Sequence, residues 1–160
     1  MAPDVEETTE GDAAAAVIAN ARRKAAAAQA AHTLVIGCDT EVVIDGRVLG
    51  KPADQAQARG FLELLSGRSH EVLSGLALLG PQVGQARQGV ARSVVTFEAL
   101  DGKRIDAYLD SGEWRDRAGG YAIQGLGATL AARVEGDLFN VIGLPVELLF
   151  ELAPELRPPA

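Results

Sequence analysis

The chain has 160 residues and a formal charge of −7, with 48% hydrophobic and 23% charged residues. This length and composition predict one folded domain and exclude a disordered chain. Five acids and no base lie in the first twelve residues, so the remaining 148 residues are nearly neutral. Nucleic acids and anionic membranes are bound through clustered Lys and Arg, so this charge balance argues against both as partners. The single cysteine, Cys38, excludes an internal disulfide and any multi-cysteine zinc site.

Targeting and membrane signals are absent from the sequence. No apolar run approaches the roughly 20 residues that a membrane span needs, and the start lacks the basic and apolar regions of a signal peptide. We therefore expect a soluble, cytoplasmic protein with a single domain over residues 1–160. We expect an acidic N-terminal segment over residues 1–11 and a frayed tail over residues 155–160.

The predicted elements are helices alternating with β-hairpins. An alanine-rich helix is expected over residues 13–31, because alanine has the highest helix propensity. Residues 34–49 are rich in β-branched residues, and Asp45-Gly46 predicts a type I′ turn between two strands. The further expected elements are a helix from Asp54 to about Leu65, strands over 72–79 and 90–98, a helix over 102–109, strands over 121–123 and 129–134, and a last helix that starts at Pro145 and ends before Pro154. This mixture indicates an α/β or α+β domain with a mixed sheet.

Asp39 is the most unusual residue, because it interrupts an otherwise apolar strand. Burial of an unpaired carboxylate is energetically costly. The side chain therefore faces a cavity, a metal or a cation, or else it is a hydrogen-bonded core aspartate or a residue at the end of a strand. The local sequence leaves both interpretations open.

Two lysines lie near this strand in the predicted arrangement. Continuing the hairpin ladder pairs Thr40 with Lys51, one residue from Asp39, although a regular ladder puts Asp39 on the opposite face. Lys24 lies at the edge of the apolar face of the alanine-rich helix. Lys51 is either a site residue or a solvated lysine at the end of a strand. Lys24 either reaches into a site or extends along the apolar helix face with its charge in water.

Gln124 and Glu7 are further candidates with ordinary alternatives. Gln124 lies in a glycine-rich segment that allows close backbone approach, where its amide either reads a base edge or belongs to a turn. Glu7 belongs to an acidic run that is ordinarily a solvated tail. His32, His70 and Cys38 show no metal or triad spacing and are interpreted as structural. Neither a phosphate-binding G-x-x-x-x-G-K-[ST] loop nor a G-x-S-x-G nucleophile motif occurs.

Four segments together resemble the Maf family of nucleoside triphosphate pyrophosphatases: VIGCDTEVVIDGRVLGKP (35–52), LLSGRSHEVLSG (64–75), AGGYAIQGLG (118–127) and EGDLFNVIGLP (135–145). The resemblance implies hydrolysis of non-standard or pyrimidine nucleotides to a monophosphate and pyrophosphate, with a divalent metal cation, magnesium or manganese. It also implies an elongated, curved mixed sheet flanked by helices, similar to the inosine-triphosphatase fold, with a substrate cleft between two lobes.

The resemblance also assigns roles by position. The implied catalytic residues are Asp39, Lys51 and Lys24. Asp39 and Glu7 are the implied metal ligands, while Thr40 and Gln124 match the pair associated with the branch that prefers dTTP and UTP. The expected function is therefore a house-cleaning release of pyrophosphate from dTTP, UTP or modified pyrimidine nucleotides.

The sequence departs from the family pattern at its start. Family members begin with a strand and a Ser-x-Ser-Pro-Arg-Arg loop that holds the phosphates, and this sequence corresponds to the part downstream of it. The resemblance thus implies a missing strand and helix, with an exposed strand edge. Arg117 stands where the family usually has lysine. The alternatives are a catalytically impaired nucleotide-binding or septum-formation-inhibitor-type regulatory protein, and an inert remnant that forms a homodimer through the exposed edge.

Overall fold

A computed structural model of the chain describes residues 13–159, which form one sheet with helices on both faces. The strands are β1 (Val35–Ile44), β2 (Arg47–Leu49), β3 (Ser69–Leu79), β4 (Arg87–Phe97) and β5 (Ala131–Glu135), in the order β2-β1-β3-β4-β5. The helices are α1 (Ala13–Ala27), α2 (Gln55–Leu65), α3 (Gly102–Ser111), α4 (Leu138–Ile142) and α5 (Val146–Leu152). The predicted α/β class with flanking helices is confirmed. All strand pairs within residues 13–159 are antiparallel, so the parallel part of the expected mixed sheet does not occur there.

The turn between β1 and β2 has the predicted geometry. Asp45 and Gly46 have φ angles of +51° and +72°, as both central residues of a type I′ turn require. The register pairs Ile44 with Arg47, and the ladder extends as far as Val42 and Leu49.

The ladder ends before it reaches Lys51, so the predicted pairing of Thr40 with Lys51 is wrong. Pro52 has no N–H to donate to a ladder. The carbonyl of Gly50 instead accepts a hydrogen bond from the N–H of Gly119 at 3.1 Å. The backbone of the segment around Lys51 is therefore bonded to a distant loop.

The two edges of β1 are paired to different extents. β3 pairs with residues 35–43, whereas β2 pairs only with residues 42–44. Within the described part of the chain, the edge that faces away from β3 has no strand partner over residues 35–41. Asp39 lies at the centre of this segment.

Helix α1 packs closely on one face of the sheet, over two glycines. A Cβ atom on Gly37 would lie closer than 3.0 Å to the carbonyl oxygen of Ala21, and one on Gly75 equally close to that of Val17. Because α1 carries small side chains here and the two glycines carry none, the backbones of the helix and the sheet lie close together. The helix ends at Ala27 and not at residue 31 as predicted, because the chain turns there to enter β1.

The opposite face of the sheet carries the other four helices and two apolar clusters. The larger cluster packs α2 and α3 on the sheet, and its fully buried members include Leu62, Leu65, Phe97 and Tyr108. The smaller cluster surrounds Leu149 of α5. Among residues 13–159, none of the helices combines the length and the apolar character that spanning a bilayer requires.

The predicted strand over residues 121–123 is wrong. The N–H of Ala122 donates to the hydroxyl of Tyr108 at 3.0 Å and is not part of a ladder. The residues that follow form a 3₁₀ helix, Gly125–Leu130, and β5 begins only at Ala131. Side chains from α3 and the loop after it thus determine the course of this glycine-rich segment.

His70 is buried between aromatic rings, with 2% of its surface exposed. Its Nε2 is hydrogen-bonded to the hydroxyl of Tyr121 at 2.7 Å, and its ring makes an edge contact with Phe97. Burial lowers the pKa of His70 from 6.5 to about 4, so the imidazole is neutral at pH 7.

We expect acid to destabilise the fold through His70. The unfolded chain protonates this histidine near pH 6.5, whereas the folded chain resists protonation down to about pH 4. The contribution of neutral His70 to the free energy of unfolding is therefore complete above pH 6.5. Lowering the pH from 7 to 5 should reduce the free energy of unfolding by about 2 kcal/mol through this residue. Urea denaturation at pH 7 and pH 5 should show a smaller pH-dependent loss in His70→Phe. An equal loss in both proteins would contradict the expectation.

Candidate active site

A cavity of about 180 Å³ beside β1 brings together five of the six predicted site residues. They are Lys24, Asp39, Thr40, Lys51 and Gln124. The sixth, Glu7, lies outside the described residues. The cavity is also lined by Glu41, Arg117 and Tyr121.

The cavity reaches both faces of the sheet. Asp39 contacts α1 on one face, whereas Thr40 bonds to Ser74, whose hydroxyl donates to a backbone carbonyl of α4 on the other. A single cavity lined by both residues must pass the edge of β1. It does so along residues 35–41, where β1 has no strand partner among residues 13–159.

Asp39 is a buried carboxylate, 3% exposed, that is held by two side chains of α1. Its Oδ1 accepts a hydrogen bond from Lys24 Nζ at 2.6 Å, and its Oδ2 accepts one from Asn20 Nδ2 at 2.9 Å. Asn20 is itself completely buried and accepts a hydrogen bond from the guanidinium of Arg23. The ion pair with Lys24 offsets the cost of burying the charge, and Asn20 sets the orientation of the carboxyl group.

The sequence reasoning missed Asn20, although a signal was present. Asn20 and Lys24 are four residues apart on α1 and therefore lie on the same helix face. An asparagine in an alanine-rich helix lowers helix propensity, so its presence at this position indicates a side-chain contact.

Thr40 is held on the other face of the sheet by a buried polar network. Its hydroxyl is 2.7 Å from that of Ser74, which donates to the carbonyl of Asn140 at 3.3 Å. The side-chain amide of Asn140 donates to the carbonyl of Val72 at 3.1 Å. This network connects β1, β3 and α4, so the position of the Thr40 hydroxyl depends on all three elements.

The exposed part of the cavity lining carries charges of both signs. Lys51, Asp116 and Arg117 are exposed and line the cavity, while Lys24 lies deeper beside Asp39. The backbone bond between Gly50 and Gly119 holds the two loops that carry Lys51 and Arg117 together. Exposed cations beside a concave site can contact polyanions such as phosphate chains.

Residues 1–156 match the model of a protein family described as Maf-like protein. The chain belongs to this family. The Maf-like chain is 48% identical over 137 residues to a dTTP/UTP pyrophosphatase of Moorella thermoacetica. The matched residues are 84% of this chain and 70% of the relative. It is 44% identical over 142 residues to a protein of the same name from Symbiobacterium thermophilum, covering 87% and 72%. A relative of that name from Pyrococcus furiosus is 42% identical over 118 residues, covering 74% of this chain and 61% of the relative.

The predicted family is therefore confirmed. The Maf-like chain spans between 61% and 72% of the length of these three relatives.

Two carboxylates of the Maf-like protein could hold a cation in this cavity. Asp39 and Glu41 are both buried, both line the cavity and, two residues apart on β1, both point to the face that α1 covers. No group of three His, Cys, Asp or Glu residues suited to a metal occurs within residues 13–159. Magnesium is commonly bound through one or two carboxylates, with water and substrate phosphates completing its shell, and this pair fits that donor set. Glu41 was missed by the sequence reasoning, although its spacing from Asp39 was a signal.

Cys38 of the Maf-like protein is not a nucleophile at neutral pH. Its thiol donates to the carbonyl of Gly143 at 3.1 Å, and burial raises its pKa to about 11. Because the thiolate is the reactive form, this cysteine is inert at pH 7.

Proposed function

We propose that this protein is a nucleoside triphosphate pyrophosphatase that acts on dTTP, UTP or modified pyrimidine nucleotides. The observation that carries the proposal is a cavity lined by the buried carboxylate of Asp39, which pairs with Lys24, and by two further cations, Lys51 and Arg117. The names of the relatives, dTTP/UTP pyrophosphatases, support the substrate class. We expect the protein to act in the cytoplasm, where its substrates are made, and the net charge of −7 makes nucleic acid an unsuitable substrate.

The proposed reaction needs an oriented water and positive charge on the phosphates. Water adds to the α-phosphorus, the bond from this phosphorus to the oxygen bridging to the β-phosphate breaks, and pyrophosphate leaves the nucleoside monophosphate. Asp39 would orient the water and accept its proton, since its carboxylate is held in place by Asn20 and Lys24. Because the carboxylate is fixed before substrate binds, little reorganisation is needed during the reaction.

The cations would bind the triphosphate at two depths. Lys24 is within 2.6 Å of Asp39 and would neutralise charge at the reacting phosphate. Lys51 and Arg117 at the mouth would bind the phosphates that leave as pyrophosphate, and the planar guanidinium of Arg117 can pair with two phosphate oxygens at once.

A divalent cation, magnesium or manganese, belongs to the proposal. When bound, such an ion supplies positive charge to phosphate oxygens and increases the acidity of bound water. Asp39 and Glu41 would hold it from the described part of the chain. Glu7, the second ligand implied by the resemblance, remains part of the proposal.

Selection of the base is assigned to Gln124 and Thr40. The Gln124 amide offers one acceptor and two donors, which suit the alternating polar groups on a pyrimidine edge. Thr40 is held by Ser74 at a defined position in the same cavity.

The test of this function is pyrophosphate release from dTTP, UTP, 5-methyl-UTP, 7-methyl-GTP and ATP, with magnesium or manganese and with a chelator. We expect metal-dependent release from the pyrimidine nucleotides, and Asp39→Asn serves as the inactive control. Nucleotide binding without release would favour a regulatory, nucleotide-binding protein. A folded chain that neither binds nor hydrolyses any of the five nucleotides would overturn the proposal.

A further inference from the structure

The loop that carries Gln124 is held from outside the cavity by Glu113. The Oε1 atom of Glu113 accepts the backbone N–H of Leu126 at 3.0 Å, and its Oε2 accepts that of Gly127 at 2.9 Å. Glu113 follows the end of α3 and does not line the cavity. Accepting these two hydrogen bonds lowers the pKa of Glu113. Its carboxylate is therefore ionised at neutral pH, and both hydrogen bonds are charge-assisted.

Glu113 accepts hydrogen bonds from the first turn of a helix, which the residue before the helix normally does by N-capping. The N–H groups of Leu126 and Gly127 are in the first turn of the 3₁₀ helix Gly125–Leu130, where they have no acceptor within the helix. The residue at the capping position is Gln124, and its side chain makes no capping hydrogen bond. The amide of Gln124 is therefore not used to stabilise its own helix.

The two glycines of this segment lie where a side chain would have no room. Gly125 has a φ angle of +62°, and a Cβ atom there would lie 2.6 Å from Oε1 of Glu113. A side chain at Gly127 would collide with the carbonyl of Ala122. The glycine-rich sequence that suggested close approach of a ligand thus permits close approach of Glu113 and of the loop's own backbone.

The loop is anchored on both sides of Gln124. On the N-terminal side, the Ala122 N–H donates to the hydroxyl of Tyr108 at 3.0 Å. On the C-terminal side, Glu113 holds Leu126 and Gly127. Both anchors come from α3 and the turn after it, so this region determines where the Gln124 side chain stands relative to the cavity.

We infer that Glu113 is a positioning residue for base selection, because it caps the helix in place of Gln124 and leaves the Gln124 amide to read the pyrimidine. The inference rests on the proposed function, in which Gln124 contacts the base. A purely structural cap would lower stability when removed but would not change the preference among bases.

The test measures Kd for dTTP and ATP by calorimetry in an Asp39→Asn background, which blocks turnover. Glu113→Gln keeps the size of the side chain but replaces one acceptor with an N–H₂ group that faces a backbone N–H. We expect about a tenfold rise in the Kd for dTTP, little change for ATP, and therefore a smaller ratio between them. In the turnover assay of the otherwise native chain, we expect KM for dTTP to rise while kcat changes less than about twofold.

A double-variant cycle distinguishes positioning from a separate effect. If Glu113 acts through Gln124, Glu113→Gln should add little to the Kd increase that Gln124→Ala already causes. Glu63→Gln, an exposed carboxylate of α2, is the matched control and should change neither Kd. An unchanged ratio of dTTP to ATP affinity in Glu113→Gln, or full additivity with Gln124→Ala, would overturn the inference. Failure of catalysis by the native chain with intact dTTP binding would overturn only the proposed function, and absence of dTTP binding by the native chain would overturn both.

Discussion

Replacing Asp39 by Asn is expected to abolish pyrophosphate release while the chain remains folded. The change keeps the shape of the side chain but removes the negative charge that pairs with Lys24 at 2.6 Å. It also removes the group proposed to accept the proton of water, and loss of a general base typically costs about a hundredfold to ten-thousandfold in rate. We expect a loss at the upper end of this range, because the same carboxylate is a proposed metal ligand.

The measurement is the initial rate of pyrophosphate release from dTTP, with circular dichroism as a check of folding. Asp110→Asn, an exposed change on α3, is the matched control and should keep full activity. If Asp39→Asn unfolds, the double variant Asp39→Asn/Lys24→Met removes the remaining half-buried cation and should restore the fold without activity. Native turnover by folded Asp39→Asn would remove Asp39 from its proposed role.

Replacing Gly75 by Ala is expected to have the largest effect on stability. The new Cβ atom would lie closer than 3.0 Å to the carbonyl oxygen of Val17 and 2.7 Å from the backbone nitrogen of Ile18. Backbone atoms in a helix cannot move singly, so α1 as a whole must shift away from the sheet. Overpacking of this kind costs about 3 kcal/mol. Gly75 is also the cross-strand partner of Asp39, so the shift would move Lys24 away from the carboxylate and reduce activity.

Urea denaturation and the rate of pyrophosphate release measure the two consequences in the same preparation. Gly60→Ala is the matched control, because Gly60 lies within α2 with no neighbouring atom within 4 Å of an added Cβ. That change should raise the free energy of unfolding by about 0.5–1 kcal/mol, since alanine favours a helix over glycine. If Gly75→Ala is as stable and as active as the native chain, close packing of α1 does not hold the site together.

The elements that were predicted well depend on interactions between near neighbours in the chain. Asp54 accepts a hydrogen bond from the N–H of Gln57 and begins α2, as its position before an apolar face indicates. Asp45-Gly46 adopts the turn that the dipeptide favours. The helix predicted over residues 102–109 is also confirmed as α3, with Ile105, Tyr108 and Leu109 buried.

The candidate site was predictable as a set of residues but not as an arrangement. A carboxylate within an apolar strand indicated Asp39, and local patterns made both lysines and Gln124 candidates. The family resemblance then favoured their functional interpretation and added Thr40. The ladder argument that placed Lys51 opposite Thr40 was wrong, because Gly50 bonds to Gly119, 69 positions further along the chain. No local pattern contains that contact.

By itself, the sequence determined the family, four of the five helices, the hairpin turn and most of the residues predicted for the cavity, whereas α4 (Leu138–Ile142) was not predicted. The tertiary structure alone decided that Asp39 and Thr40, which point to opposite faces of the sheet, line one cavity together with Gln124. It also decided that Glu113 caps the helix at Gln124 from a separate part of the chain. The physical reason is one of range. Caps, turns and amphipathic faces involve residues within about four positions of each other, whereas a cavity at a strand edge depends on which distant backbones satisfy each other's hydrogen bonds.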